Sequence, residues 1–473
     1  MDGILHRVAM VVKGEKAVMR NRFLQYGITH IYGTAHFSGE QGVVQVTSAP
    51  APVLPAADDE AALSAGVPKP RVDVEPYSKP FTAEKYLVAV GTMPARRPDF
   101  VFDGTHIIDS DDLLSGSLVR VPRELIVVGA GVIGMEYASM FNVIPGTRVT
   151  VLDGRPDVLT FADREIIQSL EYEMRQKGAR FLLGEEVLSA KRQGEHVYAT
   201  LASGKVLRGD CLLYTVGRQG NTAGLGLESL GLEIDKRGLM TVNDNYQTSV
   251  PWIYAAGDCI GFPALASTSS QQGRQAAQHM WEPESESKGS FSGFPYGIYT
   301  IPEISMVGYT EHQLTAEKIP YEMGIARYDE LAKGQMMGGS NGMLKILFHA
   351  ETLKILGVHC LGENATEIVH VGQLAMDMGL DMHYFTETVF NYPTFVEAYR
   401  SAAFNGLKRL ALAGYADHHN DLDTYARDHP AAEAEQLAAA PADAADDDAV
   451  SQPPPPAAEA NGNGNGATTE KVA

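Results

Sequence analysis

Between Glu124 and Asp153 the sequence runs ELIVVGAGVIGMEYASMFNVIPGTRVTVLD, and no other stretch restricts the fold as tightly. ELIVV at 124–128 is a buried-strand run that passes directly into glycines, a helix-period segment follows at 134–141, and RVTVLD at 148–153 is a second strand. Gly129 permits a tight turn after the first strand, Gly131 lets a pyrophosphate approach the backbone, and Gly134 allows the helix to pack closely on the sheet. The helix N-terminus then offers unpaired N–H groups and a partial positive charge to phosphates. A GxGxxG run alone is weak, because glycine-rich turns are common. Here it follows a strand, opens a helix, and stands 19 residues before Asp153 at the end of the next strand. The reading is a βαβ dinucleotide unit, with Glu136 counted among its site residues. The competing reading is a purely structural turn.

Asp153 and Arg155 lie together in VLDGRPD. A carboxylate there accepts hydrogen bonds from the ribose hydroxyl of NAD, whereas an arginine holds the 2′-phosphate of NADP. Both are present, so the choice of nucleotide stays open, as does a solvated loop with two ordinary charges.

The chain has 473 residues, enough for two or three domains. Hydrophobic residues make up 44% and charged ones 21%, and no uncharged apolar run approaches the roughly 18 to 20 residues that a bilayer span needs. The start, MDGILHRVAMVVKGEKAVMR, lacks the apolar core of a secretory signal, so the expected address is cytoplasmic, with no membrane partner. Cys211, Cys259 and Cys360 are too few and too dispersed for a disulfide framework or a zinc site, and no metal is expected. A net charge of −21 argues against nucleic-acid binding. From Ala416 onward there are 12 Asp and Glu against Arg427 and Lys471, in a segment too poor in apolar residues to fold. Residues 413–473 are therefore expected to be a disordered acidic tail. The low-complexity stretch at 48–70 is expected to be a loop insertion.

Elsewhere KYLVAVG (85–91) reads as a buried strand closed by Gly91 and Thr92. An amphipathic helix is expected around 163–177, then the strand ARFLLG and a hairpin from HVYATL to KVLRGD. PWIYAAGD (251–258) is a short strand delivering Gly257 and Asp258, with a helix from about 269 to 281. LKILFHAETLKILGVHCLG (344–362) reads as two strands around a turn, followed by a helix with Ile368, Val371, Ala375 and Met378 on one face. This last part is α+β. His349, His359 and His370 match no metal spacing, Met336 and Met337 are expected in a flexible turn, and Cys259 is taken as structural.

Residues 85–94, 124–155, 210–221 (DCLLYTVGRQGN) and 241–258 resemble, in that order, the two-dinucleotide flavoproteins of the class I pyridine nucleotide-disulfide oxidoreductase family. The resemblance implies an α/β fold with an FAD domain, a Rossmann-like NAD(P) domain and an α+β dimerisation domain. Carried over, Gly91, Thr92, Gly257 and Asp258 would contact FAD, the aspartate through the ribitol, and Gly217 would lie near the nicotinamide cofactor. The implied domains are 1–122 for a partial FAD domain, 123–240 for NAD(P), 241–292 for the return to the FAD domain, and 293–412 for the interface of a homodimer. The family opens on its own GxGxxG unit for the ADP part of FAD. Residues 1–473 do not include it, so the FAD domain is incomplete, although Lys13 to Val46 resembles the helix and strands that follow such a unit.

Two departures bear on function. The family's disulfide reductases use a Cys-x4-Cys pair and a His-Pro-Thr motif with a Glu five residues after the His. Here no such cysteine pair occurs, and FNYPTFVEAYR (390–400) places Tyr392 at the His position, with Glu397 kept and with Pro393 and Thr394 expected to open a helix. A histidine with pKa about 6.5 shuttles protons at neutral pH, and a tyrosine near about 10 does so poorly. Within the family, GIYTIPEIS (297–305), LKILFH, NYPT and EAYRSAAFNGLKRL resemble the soluble pyridine nucleotide transhydrogenases, which need neither thiol nor base. That resemblance implies hydride transfer between NADPH and NAD+ through FAD. The alternatives are an inactive or NAD-binding remnant of that enzyme that has lost its FAD site, and a lipoamide dehydrogenase-type disulfide reductase whose cysteine pair lies upstream.

Overall fold

The computed structural model describes residues 2–39, 42–48, 78–115, 118, 120–283, 293–338 and 341–413. The expected insertion, apart from Ser48, and the expected tail from 414 onward lie outside the described residues. The chain divides into two compact units, 1–159 with 174–287, and 160–173 with 288–473.

The first unit opens with α1 (Asp2–Gln25), followed by a three-stranded antiparallel sheet of β1 (Thr34–Phe37), β2 (Val43–Thr47) and β3 (Ser78–Thr82). The helix and strands expected between Lys13 and Val46 are thus present, with α1 starting earlier. Next come β4 (Tyr86–Val88), β5 (Thr92–Pro94), β6 (Ile107–Asp109) and α2 (Ser110–Leu114). The glycine-rich stretch gives β7 (Glu124–Val128), α3 (Val132–Asn142) and β8 (Arg148–Asp153). α4 (Arg164–Gln176) and β9 (Arg180–Leu183) follow, the helix grouping with the second unit up to Glu173. β10 (Val187–Gln193), β11 (His196–Leu201) and β12 (Val206–Gly209) form a second antiparallel sheet. The unit closes with β13 (Cys211–Tyr214), β14 (Arg218–Gly220), β15 (Ile253–Ala255) and α5 (Ala266–Trp281).

Strands β6, β13, β7, β8 and β9 make one parallel sheet in that order. A parallel sheet covered on both faces needs nearly continuous apolar strands. β7 is buried at every position after Glu124, and all of β13 is buried. Their side chains meet Ile107, Leu152 and Val197 in one core. β4 pairs in parallel with β15, and β5 antiparallel with β14.

The second unit contains β16 (Tyr296–Ile298), β17 (Ile304–Gly308), α6 (Glu311–Glu317), β18 (Tyr321–Arg327), α7 (Ala332–Met337), β19 (Met343–His349) and β20 (Ile355–Leu361). Three helices complete it: α8 (Ala365–Asp377), α9 (Met382–Glu387) and α10 (Ala398–Leu412). The strands form one antiparallel sheet in the order β16, β17, β20, β19, β18. Gly324 on β18 lets α10 approach closely, since a β-carbon there would stand 2.1 Å from the Ala402 carbonyl oxygen.

Three expectations need correction here. Met378 does not share the buried face of α8, which is formed by Ala365, Ile368, Val369, Gly372 and Ala375; it lies past the last helical residue and is 67% exposed. Met336 and Met337 belong to the short helix α7 rather than a turn. α10 opens at Ala398, four residues after the Pro393–Thr394 pair expected to start it; Tyr392, Pro393 and Phe395 are bends, Val396 and Glu397 a turn, and Asn391 and Thr394 are irregular.

Candidate functional site

The glycine loop does what its spacing requires. Gly129 has φ +106°, and a β-carbon there would meet the Thr215 carbonyl oxygen at 2.7 Å. At Gly134 a β-carbon would stand 1.9 Å from the Gly129 carbonyl oxygen, so only glycine lets α3 pack against its own entry loop. Gly131 caps α3 with no side-chain hydrogen bond, and nothing lies within 4 Å of the position its β-carbon would take. That opening is what a pyrophosphate needs in order to reach the first N–H groups of the helix. Glu136 is half-buried on α3. Nearby, burial pushes the Tyr137 phenol up, and the Glu136 and Asp111 carboxylates add to the shift.

Asp153, at the end of β8, is 9% exposed. One carboxylate oxygen accepts from the Ala130 N–H at 2.7 Å and from the Arg155 Nη2 at 2.9 Å. The other accepts from the Arg155 backbone N–H at 2.8 Å and its Nε at 3.0 Å. Burial alone would raise the Asp153 pKa, but the Arg155 guanidinium and these N–H groups together hold it below the usual carboxylate range. The acid and the base named from VLDGRPD therefore form one ion pair, fastened to the glycine loop through Ala130.

A second cluster forms at the ends of β4 and β15. Their parallel pairing, with Tyr86 opposite Ile253, carries Gly91–Thr92 and Gly257–Asp258 out side by side. Thr92 Oγ1 donates to the Asp258 carboxylate at 3.2 Å. Arg218 donates from Nε to Thr92 Oγ1 at 2.7 Å and from Nη2 to the Thr92 carbonyl at 2.8 Å. The Gly257 N–H is held by the buried Gln272 side chain at 2.7 Å. Gly91, Thr92, Arg218, Gly257 and Asp258, with Leu87 and Ala89, line an open cleft of about 370 Å³. A carboxylate, a hydroxyl and a guanidinium beside apolar wall fit a polyol joined to a planar ring, as in the ribitol and flavin of FAD.

Residues 215–218 link the two clusters. The Thr215 hydroxyl donates to the Val128 carbonyl at 2.9 Å and the Gly129 carbonyl at 3.1 Å. The Gly217 carbonyl accepts from Ala95 at 3.2 Å, and Arg218 holds Thr92 as above. Thr215, Arg218 and Gln272 escaped the sequence reading. Arg218 adjoins the Gly217 that was read, and nothing local marked its partner.

In the second unit, Phe395 stacks on Tyr328 with ring centroids 4.4 Å apart. The buried Tyr399 hydroxyl donates to the Ile368 carbonyl at 2.8 Å and accepts from the Gly372 N–H at 2.9 Å. Anchored at those two rings, the segment leaves Tyr392 71% exposed. Glu397 Oε2 is buried and makes no hydrogen bond among the described residues. Cys211, Cys259 and Cys360 are all free and buried. Burial pushes the Cys211 thiol up to about 12 and raises Cys259 and Cys360 as well. His359 is buried with Nε2 against the Tyr309 carbonyl at 2.8 Å, while His349 and His370 make local hydrogen bonds.

A Rossmann-like sheet with a glycine loop, a second strand-end cleft and an antiparallel α+β unit define a two-dinucleotide oxidoreductase. Residues 20–273 match the family model described as pyridine nucleotide-disulphide oxidoreductase, and residues 294–403 match its dimerisation domain. The chain belongs to this family. It is 47% identical over 329 residues to the soluble pyridine nucleotide transhydrogenase of Mycobacterium bovis (strain BCG / Pasteur 1173P2), covering 70% of this chain and 69% of that protein. To the protein of the same name from Erwinia tasmaniensis it is 49% identical over 332 residues, 70% of each. Among solved structures it is similar to LpdA from Mycobacterium tuberculosis, with TM-score 0.73 and 26% identity over 85% of this chain and 82% of that one. The fold is also that of the flavoprotein disulfide reductase RclA from Escherichia coli, with TM-score 0.72 and 23% identity over 85% of each chain. The chain is an oxidoreductase, and the cofactors of its family are FAD and a nicotinamide dinucleotide.

Proposed function

We propose that this chain passes hydride from NADPH to NAD+ through FAD, as a homodimer in the cytoplasm and without redox cysteines. The observation that carries this reading is the Tyr392 segment. The position where thiol-using relatives keep a proton-shuttling histidine holds an exposed tyrosine, and buried Glu397 Oε2, which would orient such a histidine, makes no hydrogen bond among the described residues. Cysteines 211, 259 and 360 are dispersed and buried, with thiols pushed away from the reactive thiolate. The names of the curated relatives support the same activity.

When bound, the flavin accepts hydride from one nicotinamide and returns it to another. The residues of this chain hold and aim. Gly129, Gly131 and Gly134, with the N-terminus of α3, would take the nicotinamide nucleotide's pyrophosphate, and Asp153 with Arg155 its adenosine ribose. Thr92 and Asp258 would take the ribitol, with Gly91 and Gly257 allowing close backbone approach and Arg218 fixing Thr92. The segment 215–218 would keep these two grips in register, which near-attack geometry demands.

Dimerisation is supported by the match over 294–403 and by exposed apolar side chains in the second unit, among them Leu374, Val389 and Phe404. The cytoplasmic assignment is supported by the soluble relatives. No helix among the described residues is long and apolar enough to cross a membrane.

The test is reduction of an NAD analogue by NADPH with no thiol or disulfide in the assay. Turnover by FAD-loaded protein is the expected result, and its absence from protein that shows a flavin spectrum overturns the reading.

A further inference from the structure

Hydride transfer moves charge as well as hydrogen. Two electrons and one proton leave a neutral nicotinamide ring, which becomes cationic, and the ring that receives them gains one unit of negative charge. Return to a second nicotinamide reverses both changes. Fixed charge beside the acceptor ring therefore governs how readily it takes hydride and how readily it lets go. A carrier between two nicotinamides that differ only in a remote phosphate must neither keep the hydride nor refuse it.

The cleft at the ends of β4 and β15 has one charged group of each sign. Among the described residues that line it, Arg218 alone brings positive charge and Asp258 alone negative. The guanidinium is pinned on two sides. Nε and Nη2 donate to the hydroxyl and carbonyl of Thr92 at 2.7 and 2.8 Å, and Nη1 donates to Ser110 Oγ at 3.4 Å and Asp111 Oδ1 at 3.3 Å. The Arg218 side chain is 27% exposed and that of Asp111 59%. The cation is thus held at the cleft wall and partly shielded from water. The acid behind it is open to solvent screening, so it moderates that charge without cancelling it.

We propose that Arg218 sets the hydride affinity of the flavin: its fixed positive charge stabilises the ring that has received hydride, and Asp111 tempers that charge so the ring also gives hydride up. Without Arg218, Asp258 in the cleft and Asp111 behind it would both oppose the incoming negative charge. The proposal rests on the reading that this cleft holds FAD, and goes beyond it by naming the group that balances the two half-reactions.

Equilibrium potentials rather than turnover test it. FAD-loaded full chains of wild type, Arg218→Gln, Arg218→Lys and Asp111→Asn are titrated anaerobically against a reference dye, and FAD affinity is read separately from flavin fluorescence. Arg218→Gln should move the reduction equilibrium at least about tenfold towards oxidised flavin, or about 30 mV for a two-electron couple. Arg218→Lys, which keeps the charge without the fork, should stay within about threefold of wild type in that equilibrium while binding FAD more weakly. Asp111→Asn should move it about threefold the other way, the small size reflecting a charge that is half in water. Opposite signs are the signature, since simple loosening of the cleft at either residue would not produce them. An unchanged potential in Arg218→Gln, or a shift of the same sign or none in Asp111→Asn, overturns the proposal and leaves the FAD reading in place. Should Arg218→Gln hold no FAD, the other two variants decide: a tenfold move towards oxidised flavin in Arg218→Lys, or no opposite move in Asp111→Asn, overturns it. Wild type that binds no FAD overturns the cleft reading and the proposal together. Potentials as described with no hydride passing from NADPH to NAD+ leave the proposal standing and sink the transhydrogenase reading.

Discussion

A β-carbon at Gly134 would sit 1.9 Å from the Gly129 carbonyl oxygen, whereas one at Gly131 would meet nothing within 4 Å. The same substitution should therefore fail in different ways at the two positions. Gly134→Ala should lower stability by about 1–3 kcal/mol through overpacking, read as a drop in melting temperature. Gly131→Ala should leave the melting temperature unchanged and weaken nucleotide binding about tenfold, because its methyl stands where the pyrophosphate approaches. Tyr392, exposed and making no hydrogen bond to Glu397 Oε2 among the described residues, should matter little. In rapid-mixing measurements Tyr392→Phe should change hydride transfer by less than about tenfold, or roughly 1.4 kcal/mol of barrier. The glycines were legible because backbone conformation and close approach leave a mark in the local sequence. Arg218 and Thr215 were not, because the groups they hold, Thr92 and Gly129, lie 126 and 86 residues away.

The elements ELIVV and RVTVLD were legible residue for residue, the first as an almost continuous apolar run of a covered parallel strand and the second through Val149, Val151 and Leu152. KYLVAVG was read as one long strand, yet only Tyr86–Val88 pairs, because its partner β15 is itself three residues long. The polar β10 went unread. β19 hides a different surprise: Lys345 is fully buried, opposite His359 on β20. Its ammonium donates to both oxygens of Asp163, at 3.0 and 3.2 Å, to Glu165 at 3.0 Å, and to Glu311. Nothing in LKILFH announces this, because Asp163 is 182 residues distant. Lys345→Met should cost about 3–5 kcal/mol by leaving the Asp163 carboxylate buried without a cation. Burial pushes the Asp163 pKa up, but charge from His359 and Lys345 and the lysine hydrogen bonds bring it below its usual value. A carboxyl lowered in the folded state stabilises above the ordinary carboxylate pKa of about 4, and that contribution is lost as pH falls through the native value. Melting temperatures recorded between about pH 3 and 7 should thus fall less on acidification in Asp163→Asn than in wild type. Equal slopes would contradict the assignment.

At the scale of the whole molecule, the order of the motifs carried the architecture: a strand-end cleft, a glycine loop, the return to the cleft, then an α+β unit. The sequence alone left open how the two grips are joined, which turns on the segment 215–218 and its contacts in three dimensions. Sedimentation of the full chain should give a species of two copies, in keeping with the dimerisation-domain match over 294–403. A monomer at micromolar concentration would contradict that. The central claim is hydride transfer from NADPH to NAD+ by way of the flavin. Anaerobic rapid mixing of FAD-loaded protein with NADPH, then with NAD+, tests it most directly. The account predicts that the flavin band bleaches in the first mix and returns in the second with no thiol present. A flavin that NADPH does not reduce, or that NAD+ does not reoxidise, would contradict it.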